Sequence, residues 1–230
     1  RLFLYRYGTE FYGCSVKAGE WLFPKKIVNS SKFCVIHNAV DREKYKYSVQ
    51  KREEIRGSMG ITDQFVIGHV GNFCYQKNHY FLLDVFEEVH KKDPNTVLLL
   101  AGDGVRFEKV RQIVAEKNLE DVVKLLGRRS DTDYLYQGMD AFLLPSNFEG
   151  LPIAGIEAQS AGLPCFMSDE ITKESKITEA CYFIPLKSGA KYWAEEILDN
   201  RMERQSAEFL DNAEQYDLAN QDQELKSLIR

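Results

Sequence analysis

The chain has 230 residues, 44% hydrophobic and 28% charged, enough for one large domain or one and a half with a substantial core. A formal net charge of -5 gives no general attraction to nucleic acid phosphates or anionic lipid, so any anion site must be a local cluster of positive groups. The five cysteines, at 14, 34, 74, 165 and 181, form no C-x-x-C pair that could hold zinc and read as reduced thiols of a cytosolic compartment, and no apolar run reaches the roughly 18 residues that span a bilayer.

The start, "RLFLYRYGTE", has neither a signal-peptide apolar region nor an initiating Met and reads as the interior of a longer protein. "FYGCSVKAGEWLF" and "KFCVIHNAV" predict a helix and one or two strands, the end of a preceding domain over residues 1–40. "DREKYKYSVQKREEIRGSMGIT" is charged and helix-prone without a core of its own, a linker over 41–64. From residue 65 short apolar runs alternate with amphipathic stretches: "FVIGHVGN", "YFLLDVFEEVHKK", "TVLLLAGDG", "FEKVRQIVAEKN", "VVKLLG", "DTDYLYQGM", "AFLLPS", "LPIAGIEAQSAG", "PCFMSD", "CYFIPL" and a helix over about 191–202. Continuous apolar strands are buried on both faces, and the helices between them supply the covers. The fold class is therefore α/β, a Rossmann-like doubly wound sheet of about six parallel strands over 65–202. Right-handed crossovers put every strand's C-terminal end on one rim. The tail, 203–230, predicts one or two amphipathic helices whose "FL" and "LKSLI" faces need a partner.

Ligands of such folds bind at that rim, so the informative residues follow each strand. After the first, in "GNFCYQKNH", Gly71 lets the backbone approach a ligand and Lys77 adds charge to a helix start near Asn78; a phosphate suits this loop, and a solvated lysine is the plain alternative. After the second, Asp103 in "AGDGV" suggests ribose binding by a dinucleotide fold. "GHVGNF" lacks the G-x-G-x-x-G that such a fold requires, so turn chemistry accounts for Asp103 better. The third loop carries Gly127, Arg128 and Arg129, where a base could lie against backbone under an arginine, with Ser130 or Asp131 capping the next helix. The fourth, "NFEGLPIAGIEAQSAG", sets Glu149 before a helix and Glu157 about two turns into it, with free amides at Leu151, Ile153 and Ala154 and a proline, Pro152, tolerated in the first turn. Glu157 lies among small and apolar residues, a costly setting for a carboxylate unless something donates to it. The fifth loop, with Asp169, Glu170 and Lys173, is polar without a decisive pattern.

The glutamate–seven residues–glutamate spacing of Glu149 and Glu157, the "PS" before it, "HVGNFCYQKNH" and "VIHNAVD" together resemble the donor-binding half of retaining GT-B fold glycosyltransferases of family 4 (group 1), and most closely bacterial enzymes of capsular polysaccharide and exopolysaccharide synthesis. The resemblance covers about residues 10–200 and implies a remnant of the N-terminal acceptor-side domain at the start of the chain. It also implies a nucleoside diphosphate sugar as donor and a glycan or lipid-linked glycan as acceptor. Glu149 and Lys77 take catalytic roles, Glu149 at the transferred sugar and Lys77 at the diphosphate. Glu157 holds the ribose; Gly71, Asn72, Gly150, Leu151, Pro152 and Ile153 surround the phosphates; Gly127, Arg128 and Arg129 face the base. No metal, no cofactor and no nucleic acid partner are expected, and the implied location is cytoplasmic, extending to a peripheral position at the inner membrane face. Two residues depart from the family: Asn72 stands where arginine is usual, and Ala39 where glycine is common. A nucleotide-sugar binding module without turnover and a GT-B epimerase are the alternative readings.

Overall fold

The computed structural model describes residues 2–221 and 226. The chain opens with α1 (Leu2–Tyr7), β1 (Phe11–Gly13), α2 (Val16–Leu22), α3 (Lys25–Val28) and β2 (Phe33–Val35), and β1 and β2 pair in parallel. Two helices follow, α4 (Arg42–Tyr45) and α5 (Val49–Ser58). Then come β3 (Phe65–Val70), α6 (His79–Lys92), β4 (Thr96–Ala101), α7 (Phe107–Glu116), β5 (Val123–Gly127), α8 (Thr132–Gly138), β6 (Ala141–Leu144), α9 (Ile153–Ser160), β7 (Cys165–Ser168), β8 (Cys181–Ile184) and α10 (Gly189–Asp199). The large sheet is six-stranded and parallel throughout, in the order β5-β4-β3-β6-β7-β8.

Every residue of β4 and of β6 is buried, as their unbroken apolar sequences require of strands covered on both faces. Two apolar layers do the covering. One joins Leu82, Phe86 and Val89 of α6 to Val110 of α7 and Trp193 of α10. The other joins Tyr136 of α8, Ile156 and Ala158 of α9 and Tyr216 of the tail. The i, i+4, i+7 spacing of the α6 residues turns one stripe inward, and His90, Lys91 and Lys92 in its last turn face the negative end of the helix dipole.

Residues 41–64 are more than the linker expected of them. Val40, Tyr45 and Ile61 belong to the same buried cluster as Val66 and Leu144, and α5 is anchored by arginines. Arg52 Nη2 meets Asp140 Oδ1 at 2.5 Å, Arg56 Nη1 meets Asp140 Oδ2 at 3.1 Å, and the Val66 amide donates to the same carboxylate at 2.8 Å. A helix docked through paired charges leaves only a faint apolar stripe in its sequence, which is why the segment looked coreless.

The tail also differs from expectation. Most of its described part is an extended strap, with Phe209 bridging Thr178, followed by a 3-10 helix at Asp211–Tyr216 and a bridge from Asp217 back to Val40; only residues 218–221 and 226 are in the α-helical state expected of it. The "FL" pair finds its partners there: the Leu210 amide donates to the Ile177 carbonyl, and Arg42 lies over the Phe209 ring at 4.5 Å. The other apolar group, 225–229, lies outside the described residues save for Lys226.

Candidate functional site

The strand order reverses at β3: the chain moves outward to β4 and β5, then returns to place β6 on the other side of β3. Loops diverge at such a reversal and leave a crevice beyond the strands' C-terminal ends. The two loops that flank it here are 71–78, after β3, and 145–152, after β6. They are tied together, since the Asn147 amide donates to the Gln76 carbonyl at 2.8 Å and Asn147 Nδ2 to the Tyr75 carbonyl at 2.7 Å.

Lys77 and Glu149 meet in this crevice. Lys77 Nζ lies 2.6 Å from Glu149 Oε1, which also accepts from Ser146 Oγ at 3.1 Å, while Gln76 Nε2 donates to Oε2 at 2.8 Å. Glu149 is only 6% exposed, and its charge is tolerable because one cation and two neutral donors surround it. The family resemblance implies separate tasks for the two residues; the fold pairs them. Gln76 and Ser146 were not foreseen, although Gln76 adjoins Lys77 and Ser146 belongs to the quoted "PS".

Glu157 sits in a different setting. Tyr45 donates to its Oε1 at 2.7 Å and Tyr136 to its Oε2 at 2.9 Å. These hydroxyls answer the question of what satisfies a carboxylate in an apolar helix. Both phenols are pushed above their ordinary pKa, first by burial and then by the neighbouring carboxylate, so they stay protonated donors. Nothing in the sequence pointed to either tyrosine, because one lies 112 residues away in the chain and the other 21. Each carboxylate oxygen keeps further acceptor capacity beyond its one tyrosine bond.

Between the two acids, Pro152 occupies the position just before α9, and its carbonyl accepts from the Gly155 and Ile156 amides at 3.0 and 3.2 Å. The preceding amides of Ile153 and Ala154 belong to the turn that has no intrahelical acceptor, and no side chain caps it. Leu151 and Pro152 are buried and fix the turn, while Ile153 is exposed at the helix start. Gly150 is where α2 reaches the crevice: a Cβ there would lie 2.9 Å from the Ala18 Cβ, so only glycine allows this approach. Trp21 of α2 meets Phe148 edge-on with ring centroids 5.3 Å apart, on the same seam.

On the other side of β3 the loops after β3, β4 and β5 are laced by backbone bonds. The Gly71 amide donates to the Ala101 carbonyl at 3.0 Å, Phe73 to Asp103 at 2.9 Å and Gly102 to Gly127 at 2.8 Å. A cavity of about 160 Å³ opens here between Gly71, Asn72, Gly102, Arg128, Arg129 and Thr132, and a shallower neighbour continues it along residues 102–105. Asn72 and Arg128 are exposed. Arg129 is committed elsewhere, with Nε 2.8 Å and Nη2 2.5 Å from the two oxygens of Asp131. Asp131 accordingly does not cap α8 with its side chain as expected. Asp103 is explained by the turn, its Oδ1 accepting from the Gly104 amide at 2.7 Å. In the fifth loop Asp169, Glu170 and Lys173 are exposed, and Lys17 donates to the Glu170 carbonyl. A partly open cavity of about 250 Å³ beside the 202–210 strap, lined by Leu163 and Thr178, has none of the rim residues in its lining.

Under the 71–78 loop two histidines are buried. His69 Nδ1 donates to the Leu143 carbonyl at 2.8 Å, linking β3 to β6, and the His79 ring stacks on Phe73 with centroids 4.0 Å apart. Burial above all pushes both below the ordinary histidine range, reinforced at His69 by the neighbouring His79 and at His79 by the charge of Lys77, and takes His79 to about 3. Both are neutral at physiological pH and add no charge to the crevice. Among the described residues no three His, Cys, Asp or Glu groups are placed to hold a metal ion, and no helix is long and apolar enough to cross a membrane.

A six-stranded parallel Rossmann-like sheet whose C-terminal rim meets a second, small parallel sheet is the arrangement of GT-B type glycosyltransferases. The sequence pattern of the family described as "Glycosyl transferases group 1" matches residues 51–216. The chain belongs to that family. It is 34% identical over 167 residues to the putative glycosyltransferase EpsF of Bacillus subtilis, covering 72% of this chain and 44% of that protein. It is 33% identical over 146 residues to an Escherichia coli UDP-Gal:alpha-D-GlcNAc-diphosphoundecaprenol alpha-1,3-galactosyltransferase, covering 62% of this chain and 38% of the relative. The chain thus spans less than half the length of these relatives. In fold it matches the crystal structure of Anabaena Alr3699/HepE in complex with UDP and glucose with a TM-score of 0.81 at 20% identity, over 99% of this chain and 64% of that one.

Proposed function

We propose that the chain is the donor-binding half of a retaining, family 4 glycosyltransferase of hexosyltransferase type, which moves a sugar from a nucleoside diphosphate sugar to a glycan or lipid-linked acceptor in surface polysaccharide synthesis. The observation that carries the reading is the Lys77–Glu149 pair at 2.6 Å, buried beside an uncapped helix start at the reversal of a parallel sheet. The printed names of the relatives support the substrate class: one uses UDP-Gal on a diphosphoundecaprenol-linked sugar, another is an amylovoran biosynthesis glycosyltransferase, and HepE was crystallised with UDP and glucose.

In this reading the diphosphate rests against the Ile153 and Ala154 amides with Lys77 beside it, the sugar reaches Glu149, and Glu157 accepts from the ribose hydroxyls. As the glycosidic bond to the diphosphate breaks, negative charge grows on the leaving phosphate. Fixed amide dipoles and a held ammonium stabilise that charge without reorganising, which lowers the barrier. The small sheet of β1 and β2 belongs to the acceptor side, most of which would come from a further domain of the same protein, so this chain by itself lacks a complete active site. The location proposed is cytoplasmic, extending to a peripheral position at the inner membrane face.

Calorimetric titration with UDP, GDP, ADP and dTDP tests the reading. One of them binds the native protein, and Glu157→Ala lowers its affinity by roughly tenfold or more through loss of a charged acceptor. Unchanged affinity in Glu157→Ala rejects the ribose assignment.

A further inference from the structure

The charge available for a diphosphate is unevenly distributed over this site. Lys77 is held by Glu149 at 2.6 Å, and Arg129 is clamped by both oxygens of Asp131 at 2.8 and 2.5 Å. Asn72, an exposed side chain of the loop after β3, carries no charge. Arg128 differs from all three: it is exposed, has no carboxylate partner among the described residues, and lines both rim cavities together with Asn72 and Gly102. Gly102 explains why the two side chains share one space. At φ +142 a Cβ on it would lie 2.0 Å from the Gly71 carbonyl oxygen, so the backbones after β3 and β4 touch and no side chain stands between Asn72 and Arg128.

We infer that Arg128 is a diphosphate-binding residue, supplying from the loop after β5 the cationic contact that neutral Asn72 cannot supply from the loop after β3. The inference rests on the nucleotide-sugar reading above and alters one part of it, since the third loop then serves phosphate as well as base. The chemistry is favourable: a guanidinium offers paired donors to two phosphate oxygens, and such charge-assisted bonds are about twice as strong as the neutral bonds of an asparagine. Asp103, the acid on the outer wall, is turned to the Gly104 amide, which directs an anion to the inner cavity beside Gly71 and Thr132.

The test is a double-mutant cycle read by calorimetry with the nucleoside diphosphate that the full-length protein binds best among UDP, GDP, ADP and dTDP, and with the matching monophosphate. Arg128→Ala is expected to lower diphosphate affinity roughly tenfold and monophosphate affinity by less than about threefold. Asn72→Arg is expected to raise diphosphate affinity roughly tenfold, and in that background Arg128→Ala is expected to cost less than about threefold. An equal loss for mono- and diphosphate marks Arg128 as a base-stacking residue and overturns the inference, as does a loss of the same size in both backgrounds. Failure of all four diphosphates to bind the native protein overturns the nucleotide reading itself, a different outcome from either. Arg128 is exposed, so an unchanged unfolding midpoint accompanies each variant.

Discussion

The two glutamates at α9, Glu149 before it and Glu157 within it, are eight positions apart in sequence and are held in opposite ways. Glu149 is held by a cation and two neutral donors, all from the loops flanking the sheet's reversal. Glu157 is held by two tyrosine hydroxyls, one of them from α4, a helix that the sequence presents as part of a linker. The first carboxylate has its charge cancelled; the second has hydrogen bonds but keeps its charge. A ligand that needs an anion to accept hydroxyl protons finds it at Glu157, whereas one approaching Glu149 must contend with Lys77. Position around one helix start thus separates two chemically identical side chains into two functions.

The strongest way to break this contrast is to remove the cation. Lys77→Ala leaves Glu149 buried with neutral donors only and is expected to destabilise the fold by roughly 3 kcal/mol. Adding Glu149→Gln should recover most of that loss, measured by urea unfolding. Additive losses in the double variant would mean that the pair is not coupled.

Acid probes the floor under the Lys77 side. His69 and His79 are held below the unfolded histidine value of about 6.5. Above that pH both folded and unfolded states are neutral and stability is flat. As pH falls below it the unfolded chain takes up protons that the folded chain refuses, so stability drops by up to about 1.4 kcal/mol per pH unit for each histidine, continuing for His79 to about 3. His79→Phe, which preserves the stacking on Phe73, should roughly halve the loss between pH 7 and 5.5 in urea titrations; an unaltered slope would place the acid sensitivity elsewhere.

The mildest change sharpens the other side. Tyr45→Phe removes one of two hydroxyls from Glu157, for about 1 kcal/mol. Because it leaves the cationic cluster untouched, its effect should add to that of Lys77→Ala without interaction. A coupling energy well above about 0.5 kcal/mol would show that the two carboxylates communicate through α9.

The residues themselves explain how much was legible beforehand. Lys77, Glu149 and Glu157 stood out because each is an ionisable group in a loop or helix whose neighbours are small and apolar. The sheet was visible because strands buried on both faces have no polar positions. Tyr45, Tyr136, Gln76 and Ser146 did not stand out, being ordinary residues whose importance lies only in what they face. α5 was misjudged for the converse reason: it is fastened by Arg52 and Arg56 to Asp140, and no periodicity of apolar residues records a contact made by charges.

By itself, the sequence determined the order of strands and helices, the parallel sheet and the rim on which its informative loops gather, since apolar periodicity and crossover handedness are local or nearly local properties of the chain. The tertiary structure decided which charges cancel and which remain. Lys77 with Glu149, Arg129 with Asp131 and Glu157 with two tyrosines are pairings of side chains at distances of a few ångströms, and Coulomb and hydrogen-bond energies at that range depend on placement that residue identity and spacing do not encode.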